Sequence, residues 1–208
     1  MKKSKSLKGE GKAMKSVKTS NNNEERIKCV EITLILIVIG VIVGLIGSLS
    51  IPLAYSITFF WPAVTVQVIG GIWFGWWGII AGTVFPLISN HILGVPNIVN
   101  ITFIPANFIQ GFIPAFLMKK FNANVRLTKL RDHIIFAAGV TISNLLSALW
   151  SVTALYVQGL LVASEIFKYY LAWSIGNIFP ALILGEIHLR IFSDFVLESK
   201  WRCDGWFN

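Results

Sequence analysis

Formal charge is missing from most of the first half of the chain: no Asp, Glu, Lys or Arg occurs between Glu31 and Lys119. A soluble fold needs a polar outer face on each of its elements, so this absence excludes a water-exposed fold for that stretch. Only 13% of the 208 residues are charged, where a soluble domain carries roughly 25%. Cysteine is almost absent as well. The two present, Cys29 and Cys203, stand at opposite ends of the chain without a C-x-x-C or other metal spacing, so no metal site is expected. Both fall on flanks that the charge pattern assigns to the cytoplasm, so no disulfide is expected either. The apolar runs do not alternate with period two, which excludes a transmembrane barrel. No Gly-Lys phosphate loop occurs, so the chain does not hydrolyse ATP by itself. No His/Glu or Ser/Lys set recurs at helical spacing within an apolar run, so the chain is not expected to be an enzyme. No cofactor is expected.

What is there is hydrophobic: 55% of the residues, in runs of a length that crosses ~30 Å of hydrocarbon as a helix. The expected fold is all-α and integral to the membrane, a multi-pass protein of the cell membrane with six transmembrane helices. Those six lie near Val30–Leu49, Phe59–Ile69, Ile72–Asn90, Ile101–Met118, Ile134–Val157 and Tyr169–Leu189, with Gly70-Gly71 turning the second into the third. Residues 1–29 are expected to be a disordered, basic cytoplasmic tail, 30–190 the bundle, and 191–208 a short cytoplasmic C-terminal segment. The net charge of +8 belongs to flanks and loops: Met1–Glu31 holds nine Lys and Arg against four acids. The tail has no aromatic residue for base stacking, so no nucleic-acid partner is expected; contact with membrane lipids is. With the N-terminus inside, the basic stretch 119–131 also falls inside after four spans, and the C-terminus after six. Both termini are therefore expected to be cytoplasmic.

Within the apolar region the few polar residues are the candidates for specificity. Gln67, Asn90, Asn107, Gln110, Asn144 and Asn177 lie in or at the ends of the expected spans, where an unpaired amide costs several kcal/mol in lipid. They must face other helices or a wet cavity. Asn90, His91, Asn97, Asn100, Asn107 and Asn177 are expected in the outer half, with Tyr55, Trp61, Trp150 and Trp173 near them. Amides with aromatic walls and no net charge suit a small, flat, largely neutral molecule. The candidate substrate-binding residues are accordingly Trp61, Asn90, His91, Asn97, Asn107, Asn144, Trp150 and Asn177. On the first span, Gly40-x-x-x-Gly44 offers a face of small residues for close approach of another helix.

Six spans in about 180 residues resemble the substrate-binding (S) components of energy-coupling-factor (ECF) transporters. The run Phe74-Gly75-Trp76-Trp77-Gly78-Ile79-Ile80-Ala81-Gly82 and the Pro/Asn-rich loop before a span ending in Lys119-Lys120 carry the likeness. The resemblance implies a subunit that captures a small solute, a vitamin or a metal, from outside. It also implies partners: a coupling transmembrane subunit and ATPase subunits, docked through a small-residue face at Gly40 and Gly44. The alternative expectation is a multi-span membrane sensor or scaffold.

Overall fold

The computed structural model describes residues 3–48, 52–54, 57–58, 60–199 and 203, with side chains described for 24–48, 60–199 and 203. The architecture is helical: α1 (Lys3–Ser48), α2 (Ala63–Phe74), α3 (Trp76–Ile92), α4 (Asn97–Thr102), α5 (Ile104–Lys120), α6 (Leu130–Val157) and α7 (Ile166–Glu198). Between α1 and α2 lies a small antiparallel pair, β1 (Pro52–Ala54) and β2 (Ile57–Thr58), with β2 against α7. The tail expected to be disordered is helical from Lys3 onward, continuous with the apolar part of α1. Extending an existing helix needs no new nucleus, and the Lys- and Glu-bearing tail is compatible with continuation. α7 runs past Arg190 to Glu198 without a break, so the polar segment after the last span extends that helix.

Among the described residues four helical segments, and not six, are long and apolar enough to cross a membrane: Glu24–Ser48, Asn97–Lys120, Leu130–Val157 and Ala163–Glu198. The shortfall lies in the expected second and third spans. α2 has 12 residues, about 18 Å of helix, and α3 has 17, about 26 Å. Their turn is also elsewhere than expected. Gly70 and Gly71 lie inside α2, buried, and the chain reverses at Gly75, whose φ of 56° and ψ of −130° are open to glycine and little else. Gly78 then lets α3 lie directly on α2, because a Cβ there would collide with the Gly70 carbonyl.

One end of the bundle is basic and strongly tied together. There Trp73 Nε1 donates to Ser193 Oγ (2.9 Å), Arg126 pairs with Asp194, and buried Asp132 caps α6 by accepting the Lys129 N–H at 3.1 Å. Lys119, Lys120 and Arg131 lie in the same region, at the end of α5 and the start of α6. Here also the expectation of free cysteines fails. Cys29 and Cys203 form a disulfide, their Cα atoms 5.4 Å apart across a sequence separation of 174. Sequence distance says nothing of spatial distance when the start of one apolar helix and the end of another meet at one end of a bundle.

Candidate functional site, a buried polar interior among four helices

α2 packs on α5, α5 on α6, α6 on α7, and α7 back on α2, closing a ring. Three of these helices turn amides, hydroxyls or an indole to the inside. On α6, Asn144, Ser147 and Ser151 follow at steps of three and four residues, so they form one stripe, and none has exposed surface. On α7, Trp173, Ser174 and Asn177 are buried on one side, as are Asn107 and Gln110 on α5. Gln67 of α2 is buried as well, but its side chain lies against Gly82 of α3. Two contacts set the level across the ring: Gln110 Nε2 donates to Asn144 Oδ1 at 2.8 Å, and toward the end away from the basic residues Phe103 meets Trp173 edge-on with ring centroids 5.3 Å apart.

Part of this polarity is satisfied internally. Asn144 Nδ2 donates to the Val140 carbonyl at 2.8 Å, and Gln67 Nε2 to the Gly82 carbonyl at 2.8 Å. The rest is not. Oε1 of Gln67 and Gln110, Nδ2 of Asn107 and Oδ1 of Asn177 are buried without a protein partner. So are the hydroxyls of Ser147, Ser151 and Ser174 and the indole N–H of Trp173. Every one of these side chains is more than nine-tenths buried. A buried polar atom left unpaired costs about 1–3 kcal/mol, so native proteins keep few of them. A concentration of them on α5, α6 and α7, three neighbouring helices, is a feature to be explained by what those atoms can hold. They are neutral and include both donors and acceptors.

The backbone adds a second sign. α2 begins beside the interior of α7 and not beside its end. The Trp61 N–H donates to the Gly176 carbonyl at 3.0 Å, well along α7 from its start at Ile166, and only from Ala63 is the chain helical. Non-helical backbone at membrane depth is tolerated where it is buried in protein or lines a polar cavity. Here it lies beside Asn177. Trp61 also stacks on Phe85, with centroids 6.1 Å apart.

Of the residues singled out from sequence, Asn107, Asn144 and Asn177 are buried on the helices of the ring, and Trp61 is tied to α7 at Gly176, the residue before Asn177. The others lie elsewhere. Asn90 Nδ2 donates to Asn100 Oδ1 at 3.3 Å, and His91 Nδ1 lies 3.4 Å from Asn97 Oδ1. These pairs brace the corner between α3 and α4, with His91 and Asn97 exposed. Trp150 faces outward, donating to the Thr102 carbonyl at 2.8 Å, and lines an apolar groove of about 610 Å³ with Ile101, Leu149 and Val157. Tyr55 lies outside the described residues. The serines of α6, and Ser174, were missed in sequence. Their signal was available: Asn144, Ser147 and Ser151 repeat on one helical face of an otherwise apolar run.

Gly40 and Gly44 face the chain's own α3. A Cβ on Gly40 would fall within the Phe85 ring, and one on Gly44 would lie 3.2 Å from Ser89 Oγ. The small-residue face expected to receive a coupling subunit is therefore covered by α3, which needs the same close approach. Among the described residues no group of three or more His, Cys, Asp or Glu side chains could hold a metal ion. No family model, curated protein or solved structure matches the chain.

Proposed function

We propose that the protein is a membrane-embedded substrate-binding subunit that captures a small neutral solute for uptake by a partner ATP-driven transporter. The observation that carries this reading is the set of buried, unpartnered donors and acceptors inside the ring of α2, α5, α6 and α7. A planar solute bearing both donor and acceptor groups would pair with Asn107, Asn177 and the serines, and its face would rest on Trp173. Of the two solute classes the S-component resemblance implies, a vitamin-like molecule suits these groups better than a metal. The amides, hydroxyls and indole bring no carboxylate, thiolate or imidazole to the ring interior. Within this proposal α2 and α3 serve as two short spans joined at Gly75, completing six, and the basic end faces the cytoplasm by the positive-inside rule.

The test is thermal unfolding of the purified protein against a panel of neutral nitrogen heterocycles and vitamins. A ligand at 100 times its Kd adds about 2.7 kcal/mol of stability. A hit lost in Asn107→Leu and retained in His91→Ala supports the site; a panel without a stabilising compound, or a hit equally kept by both variants, contradicts it. A second reading, a membrane sensor, is favoured by one observation. α1 is a single helix of 46 residues, about 69 Å, and so runs from the bundle well beyond the bilayer. In that case the same solute would change the position of α1 instead of being delivered.

A further inference from the structure

α1 and α7 both pack on α2 but scarcely touch each other. The slot between them has a volume of about 480 Å³ and is walled by Leu36 and Ile39 on α1, Ile69 and Trp73 on α2, and Leu184 and Phe195 on α7. At the basic end this slot is closed by a covalent link. Cys203, just beyond α7, is bonded to Cys29 on α1, and both sulfurs are buried in a cluster with Ile32 and Phe74, against Val196 of α7. Close by are Arg26 and Lys28, and the same end carries Lys119, Lys120, Arg126 and Arg131. Positive charge of this density marks a cytoplasmic flank, and the cytoplasm keeps thiols reduced; disulfides found there are mostly transient or redox-sensing.

We propose that Cys29 and Cys203 form a redox-sensitive clasp that sets the width of the slot between α1 and α7. Closing it is thiol–disulfide exchange with a low-molecular-weight disulfide. One S–S bond forms and one breaks, and the two protons and two electrons leave on the two small thiols released. A dithiol reverses the exchange through a mixed disulfide. With the bond open, α1 is held at this end by the Thr33 hydroxyl, 3.5 Å from the Trp77 carbonyl, and by apolar packing on α3, while its covalent tie to the end of α7 is lost and only the packing on Val196 remains there. The clasp rests on the cytoplasmic orientation proposed above for the basic end, and not on the proposed solute site.

The experiment uses the full chain in its own membranes. After acid quenching, free thiols are counted with a maleimide under denaturing conditions. Both cysteines are expected free in reducing cells, paired after exposure to oxidised glutathione, and free again after dithiothreitol. Hydrogen exchange of residues 27–43 and 184–198 is expected to quicken about fivefold or more on reduction. Cys203→Ser and Cys29→Ala should each show the reduced pattern under both conditions, which separates the clasp from a folding defect peculiar to one variant. Cysteines that never pair, a bond that resists dithiothreitol until the protein unfolds, or exchange rates unaltered by reduction would overturn the proposal.

Discussion

Ser143, Ser147 and Ser151 stand on the same helix, and none has exposed surface, yet they differ in one respect. The Ser143 hydroxyl donates to the Val140 carbonyl at 3.0 Å, whereas those of Ser147 and Ser151 have no protein partner. Alanine substitution should therefore give opposite signs. Ser143→Ala removes a made hydrogen bond and should destabilise by about 0.5–1.5 kcal/mol. Ser147→Ala removes only an unpaired group, whose burial costs about 1–3 kcal/mol; less the packing lost with one oxygen atom, the protein without solute should gain about 1 kcal/mol. In a chain of this size that moves Tm by roughly 2–4 °C, down for Ser143→Ala and up for Ser147→Ala. Ser151→Ala should follow Ser147→Ala, and the double variant need not be additive because the two sites are neighbours. Thermal unfolding in detergent, with and without the stabilising compound found by screening, reads both terms. With that compound saturating, Ser147→Ala should lose stability relative to the parent, since the hydroxyl then has a partner to lose. If Ser147→Ala destabilises the solute-free protein as much as Ser143→Ala does, the unpaired interior is not what it is argued to be.

Other substitutions test other parts of the account. Gln110→Leu leaves the Asn144 Oδ1 without its donor and should cost about 1–3 kcal/mol, measured by the same unfolding. Gly78→Ala forces α3 away from the Gly70 carbonyl and should destabilise by about 1–3 kcal/mol, whereas Gly94→Ala, in open space but at positive φ, should affect only the loop. Asp132→Ala removes the cap of α6 and should cost about 1 kcal/mol, seen also as faster amide exchange over the first turn of that helix. Arg126→Ala breaks a pair whose side chains are 39% and 63% exposed, so its effect should stay below about 1 kcal/mol and shrink further in salt.

The membrane class was legible in sequence because it depends on composition and run length alone. The helices α5, α6 and α7 were found for the same reason, to within a few residues at most of their ends. The pair α2 and α3 was expected too, but with its turn at Gly70-Gly71 and not at Gly75. Its sequence offers glycines at 70, 71, 75 and 78, and only tertiary packing decides that Gly75 turns while Gly70 and Gly78 serve close contact. The amides divided in the same way. Asn144 and Asn177 sit well inside α6 and α7, and Asn107 in the first turn of α5, all within apolar runs, so burial left them no choice but the interior. Asn90, His91 and Asn97 lie at a helix end and a loop, where a local partner is at hand, and they brace a corner. The Gly40–Gly44 face was recognised as a contact face, but sequence cannot say whose helix it meets. The disulfide was not expected for a different reason: the charge pattern put both cysteines on one side, and the reducing cytoplasm argued against a bond there, a rule about compartment that says nothing of whether two thiols are close enough to pair.

The central claim is that the polar interior holds a small solute, and native mass spectrometry of the protein released from its own membranes tests it most directly. The account predicts one neutral non-lipid molecule bound per chain, retained by Ser143→Ala and absent from a folded Asn107→Leu, Asn177→Leu double variant. A chain that carries no such molecule, or one that the double variant keeps as fully as the parent, would contradict it.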